Sequence, residues 1–128
     1  MNIFRGPDSP FHPADPSSFV GTARTKLLAS AEEGASVHLY QVEFGEQGRT
    51  NWHTHSGPQW LFILDGRVRV QRWGEAAREV GPGDAVLFAP GEKHWHGAAP
   101  GSHGAHLAIN VNAVTEWLEP VREDEYNA

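Results

Sequence analysis

The sequence predicts an all-β protein, a double-sheet jelly roll or barrel closed from short strands. Apolar residues recur mostly with period two, the pattern of strands that bury one face. Turn signatures such as "GPGD", "APGEKH" and "APGSHG" punctuate the chain, which holds 14 Gly and 9 Pro in 128 residues. Extended helical periodicity is nearly absent. Eight or more short strands in a chain of this length close most readily into a barrel, which removes exposed sheet edges.

The elements follow in order. Residues 1–18, rich in Pro, Ser and Asp, read as an irregular arm, and residues 19–128 as a single domain. "FVGTARTKLL" and "ASVHLYQVEF" read as strands around the polar "ASAEEG". "QWLFIL" and "RVRVQRW" flank Asp65-Gly66, a dipeptide that predicts a two-residue hairpin turn with positive φ at both central positions. "AVLFA", "HWHGA" and "AHLAINV" supply further strands, and a short amphipathic helix is expected near "AVTEWLEPV", close to the C-terminus. A chain of this size buries roughly two-thirds of its unfolded surface, enough for one core.

Composition excludes several functions. The formal net charge is -6, and the 10 Lys and Arg form no run that could displace phosphate counterions, so a nucleic-acid partner is not expected. With no cysteine, any metal site must be built from His, carboxylates or amides. No apolar h-region opens the chain and no apolar run is long enough to span a bilayer, so a cytoplasmic protein without membrane contact is expected.

The stretch "NWHTHSGPQW", residues 51–60, carries the chemistry. Residues two apart on a strand share a face, so His53 and His55 project side by side while Trp52 and Thr54 point away. Gln59 follows a "SGP" turn and starts the next strand, from which its amide oxygen can reach the same point; a second histidine-bearing strand supplies His94. Three imidazoles and one amide make an open metal site. That donor set accepts Mn, Fe, Co, Ni or Zn.

Two motifs in the sequence resemble those of the cupins. His53, His55, Gln59 and Gly66 match the first; Pro82, Gly83, Asp84, Pro90, Gly91 and His94 match the second, with Ala89 and Ala98 where the pattern often has Pro and Asn. The resemblance implies the cupin double-stranded β-helix and, because "WHTHSGPQ" and "PGDAVLFAPGEKHWHGAAPGSHGAHLAI" are similar to segments of small bacterial hydroxynitrile lyases of this family, a manganese-dependent lyase. The likeness runs from about Phe19 to Tyr126. It implies reversible cleavage of small cyanohydrins to a carbonyl compound and hydrogen cyanide, and a homodimer or homotetramer. An iron-dependent dioxygenase and a non-catalytic small-ligand-binding cupin are the alternatives, since one barrel hosts many activities.

His106 is the candidate proton carrier: His106, Ala108 and Asn110 share a face of "HLAIN", and a neutral imidazole exchanges protons near pH 7. His38 and Tyr40 share a face of "SVHLYQV" with Val42 and would donate to a substrate oxygen if that face is the inner one. His96 is expected to be a buried hydrogen-bonding group rather than a ligand. Trp52, Trp60, Phe62, Trp73 and Trp95 are expected in the core or in subunit contacts, His12 and His103 in solvent, and Arg49 and Asp84 tying down backbone.

Overall fold

The structure is a computed structural model that describes residues 1–128. Its strands are β1 (His12–Pro13), β2 (Phe19–Val20), β3 (Ala23–Ala31), β4 (Val37–Phe44), β5 (Arg49–Thr50), β6 (His53–His55) and β7 (Gln59–Gly66). They continue with β8 (Val68–Arg72), β9 (Arg78–Val80), β10 (Ala85–Phe88), β11 (His94–Ala98), β12 (Gly104–Val111) and β13 (Thr115–Trp117), and a single α-helix, α1 (Glu123–Tyr126), ends the chain. One sheet runs β1-β3-β4-β12-β7-β10; the other runs β13-β6-β11-β5-β2, with β8 added on β11 and β9 on β8. All pairings are antiparallel. The two sheets face each other as a jelly roll, as the period-two pattern predicts.

Register sorts the inner face into layers. Gln59, Leu61 and Ile63 alternate inward along β7 and lie opposite Asn110, Ala108 and His106 of β12, which in turn oppose His38, Tyr40 and Val42 of β4. Leu61, Ile63, Val68, Val70, Phe88 and Ala108 form one buried apolar cluster inside the barrel. A second, of Trp52, Trp95, Val121 and Tyr126, backs the other sheet, where the C-terminal segment covers it. Arg49 fastens that segment: Nε and Nη2 donate to the Val121 carbonyl at 3.1 and 2.8 Å. Asp84 likewise accepts the Gly81 N–H at 2.8 Å. Trp60, Phe62 and Trp73 are instead 44%, 42% and 53% exposed, so of the five aromatics only Trp52 and Trp95 belong to the core.

Three expectations are corrected. Asp65-Gly66 is not a hairpin turn, because β7 and β8 do not pair and belong to different sheets. Gly66 alone takes positive φ there, 68°, where the chain crosses between sheets. A side chain at Gly66 would place its Cβ 2.1 Å from the His103 carbonyl oxygen, which accepts the Arg67 N–H at 3.0 Å. The helix expected near Ala113–Val121 is displaced: Thr115–Trp117 form strand β13 on β6, Pro120 follows, and the helix starts at Glu123, its first turn closed by the Glu125 carboxylate on the Arg122 N–H at 3.0 Å. The arm is also partly ordered, with a 3₁₀ turn at Gly6–Asp8 and β1 pairing along the edge of β3. Covering that edge removes a row of unpaired backbone groups.

Candidate metal centre and cavity

The histidines converge because two sheets bring them together. His53 and His55 lie on β6, His94 directly opposite His53 on β11, and Gln59 comes from β7 of the facing sheet. Ring centroids of His53 are 5.0 Å from His55 and 4.2 Å from His94, and those of His55 and His94 are 5.4 Å apart. All four side chains are buried. The structure thus brings together every residue of the donor set read from the sequence. His96 joins them: ligand atoms of His53, His94 and His96 lie within 4.8 Å of one another.

The outer hydrogen bonds set which ring nitrogen is free. His53 Nδ1 lies 2.9 Å from the Asn51 carbonyl and His94 Nδ1 2.7 Å from the Glu92 carbonyl, so each donates its N–H through Nδ1 and turns a bare Nε2 inward. His55 Nδ1 meets the Thr115 hydroxyl at 2.8 Å, and its Nε2 is buried without a partner. Burial pushes the pKa of His53 well below its ordinary value, lowers that of His55 and takes that of His94 to about 4. At neutral pH these rings are uncharged, with lone pairs available.

That donor set fits a cation. The Gln59 amide donates to Asn110 Oδ1 at 2.8 Å, which aims its Oε1 at His94 Nε2, 3.1 Å away. Two lone pairs then face each other. Either an ion between them or joint reversal of the Gln59 and Asn110 amides relieves the clash, and an ion serves the buried His55 Nε2 as well. A buried nitrogen without a partner costs about 1–3 kcal/mol, so a group that satisfies several stabilises the site.

A cavity of about 240 Å³ opens beside these groups, lined among others by His53, His55, Gln59, His96, Tyr40 and Trp117. Tyr40 therefore reaches the site. His38 does not: it lies one layer toward the rim, stacks on Tyr40 at 6.2 Å and turns its Nε2 to Glu32 at 3.8 Å. His106 is fully buried and does not line the cavity. It sits two layers deeper than Asn110, and its Nε2 meets His96 Nδ1 at 2.9 Å across the gap between sheets. The reason is register: the face chosen by period two is right, but its far end lies behind His96. Burial takes His106 to about 4 and His96 well below its ordinary value, so both rings are neutral.

Sequence reasoning missed Thr115 and Trp117. β13 pairs Thr115 with His55 and Trp117 with His53, placing both side chains on the histidine face and Glu116 on the other. The alternation Thr-Glu-Trp is the signal, but three residues are too few to separate a strand from a helix turn.

Comparison with known proteins places this architecture. Residues 40–111 match the cupin domain model, and the chain belongs to the cupin family. It is similar to an (R)-mandelonitrile lyase from Granulicella tundricola, 44% identical over 111 residues that cover 84% of this chain and 85% of that protein. Among solved structures it resembles a cupin-like protein from Thermotoga maritima, with a TM-score of 0.86, 34% identity and coverage of 98% of this chain and 95% of that one. It also shares its fold with a polyketide cyclase from Streptomyces resistomycificus, with a TM-score of 0.76, 21% identity and coverage of 98% and 90%. No helix is long and apolar enough to cross a membrane.

Proposed function

We propose that this cupin is a metal-dependent hydroxynitrile lyase that reversibly cleaves small cyanohydrins. His53, His55, Gln59 and His94 would hold a divalent ion; such donors accept Mn, Fe, Co, Ni or Zn, and it is the resemblance to manganese-dependent cupin lyases that puts manganese first. The observation that carries the reading is the set of inward-facing acceptors, His94 Nε2 and Gln59 Oε1 at 3.1 Å with the unpartnered His55 Nε2, beside a cavity that Gln59 and His55 line. Similarity to a mandelonitrile lyase supports the choice of reaction. Four neutral ligands leave a bound divalent ion its full charge, which supplies electrostatic stabilisation of developing negative charge.

The chain's own residues would handle the proton. Cleavage needs a base for the hydroxyl proton; as the carbon–cyanide bond breaks, its electron pair leaves with cyanide, which takes up a proton to give hydrogen cyanide. His96 and His106 share one hydrogen bond; with the His96 Nδ1–H donated to His106 Nε2, His96 Nε2 is a bare base that takes the hydroxyl proton and returns it to the departing cyanide. His106 then acts by holding the His96 tautomer rather than by touching substrate. Tyr40 orients the substrate oxygen from the opposite wall. The test is mandelonitrile cleavage by protein loaded with Mn or Fe, with oxygen uptake followed in parallel. Release of benzaldehyde and cyanide without oxygen uptake is expected; oxygen uptake without cyanide release would replace the lyase reading with a dioxygenase.

A further inference from the structure

The cavity wall includes residues outside the segment that matches the cupin model, residues 40–111. Phe19 comes from β2 and Thr115 and Trp117 from β13, and all three line the same cavity as the histidines. The Trp117 ring centroid lies 4.7 Å from that of His53 and 5.8 Å from that of Phe19. The indole is nevertheless 41% exposed, unlike the buried Trp52 and Trp95. A large aromatic side chain clamped in place yet open to a cavity is a preformed stacking surface. Tyr40 lines the cavity from the facing sheet, so a flat group entering there meets aromatic rings from both sheets.

We infer that Trp117, braced by Phe19, is the specificity-determining wall of the site, the side chain that selects a flat aryl group over a saturated one of similar size. The inference rests on the lyase reading for the reaction but not for the recognition. A phenyl ring gains offset-stacked or edge-to-face contact with the indole that a saturated ring of similar size does not. The polar carbon of the substrate is then placed toward His53, on which Trp117 itself packs, so ring recognition and chemistry are adjacent.

The experiment compares benzyl alcohol with cyclohexylmethanol, titrated into metal-loaded protein and read by calorimetry, which requires no turnover. Aromatic stacking energies correspond to about a threefold to tenfold preference for the aryl alcohol. Trp117→Leu should abolish the preference and Trp117→Phe should keep most of it, with metal content unchanged. Should Trp117→Leu lose its metal, Phe19→Leu, which loosens the brace and trims the same wall while keeping the indole, should still reduce the preference. No preference in the unmodified protein, or a preference unchanged in Trp117→Leu, would overturn the inference; so would equal weakening of both alcohols, which would make Trp117 a packing residue only. Turnover supplies the second arm: kcat/KM for mandelonitrile should fall in Trp117→Leu by the same factor relative to its cyclohexyl analogue. If the unmodified protein cleaves neither cyanohydrin, the lyase reading fails while the alcohol titration still decides the role of Trp117.

Discussion

Two layers of the same barrel interior contrast sharply. One is apolar: Leu61, Ile63, Val68 and Val70 are buried against Phe88 and Ala108 and need nothing but each other. The other holds Gln59, two residues before Leu61 on β7, with His53 and His55 of β6 and His94 of β11, equally buried but with His55 Nε2 left without a partner in the chain. Burial of the first layer drives folding, at about 1.5–3 kcal/mol per large side chain, whereas burial of the second costs desolvation. Phe88 joins the two, its ring 3.7 Å from that of His94. The contrast teaches that the apolar cluster that drives folding contains none of the site residues.

Mutations should separate the layers. The largest effect on stability is expected at Leu61→Ala, which opens a cavity in the apolar layer and should cost about 2–5 kcal/mol in denaturant unfolding, with metal binding retained in the folded fraction. His106→Ala should leave metal content unchanged but lower kcat for cyanohydrin cleavage about a hundredfold, because it removes the proton partner of His96. Near-normal turnover there would show that His96 needs no partner to hold its tautomer. Gly66→Val should destabilise by about 1–3 kcal/mol, since its side chain meets the His103 carbonyl at positive φ; an unchanged unfolding midpoint would show that the crossing tolerates a side chain.

Acid should act on the polar layer. His106 has its pKa lowered from 6.5 to about 4 by burial, so the unfolded chain takes up a proton first as pH falls. The metal-free protein should keep its full stability above about pH 6.5 and lose it toward pH 4, by at most about 1.4 kcal/mol per pH unit for each such histidine. Urea unfolding across that range measures the slope, which should shrink in His106→Ala. The smallest effect belongs to His38→Ala, whose ring is outside the cavity and one-third exposed, and turnover should change little.

What the sequence made legible was local. His53 and His55 are two residues apart, so their common face follows from strand geometry alone, and Gln59 is one turn away. His94 needed only the assumption that its strand pairs nearby, and β11 does place it against His53. Features that depend on pairing between distant strands were not legible. Asp65-Gly66 carries the local signature of a hairpin, yet the strands on either side join different sheets, a choice made by the closure of the barrel. His106 has the right face, but only the packing of β11 over β12 puts His96 between it and the cavity. Trp117 was hidden in a strand of three residues whose identity is set by its partner β6.

The central claim is that His53, His55, Gln59 and His94 form one metal site in a barrel that folds without it. The most direct measurement is metal content by elemental analysis of purified His94→Ala beside the unmodified protein, with thermal unfolding of the same samples. The account requires that His94→Ala lose most of its bound metal while still unfolding in one cooperative transition, because the apolar layer is untouched. A His94→Ala protein that is folded and carries the full complement of metal would contradict it.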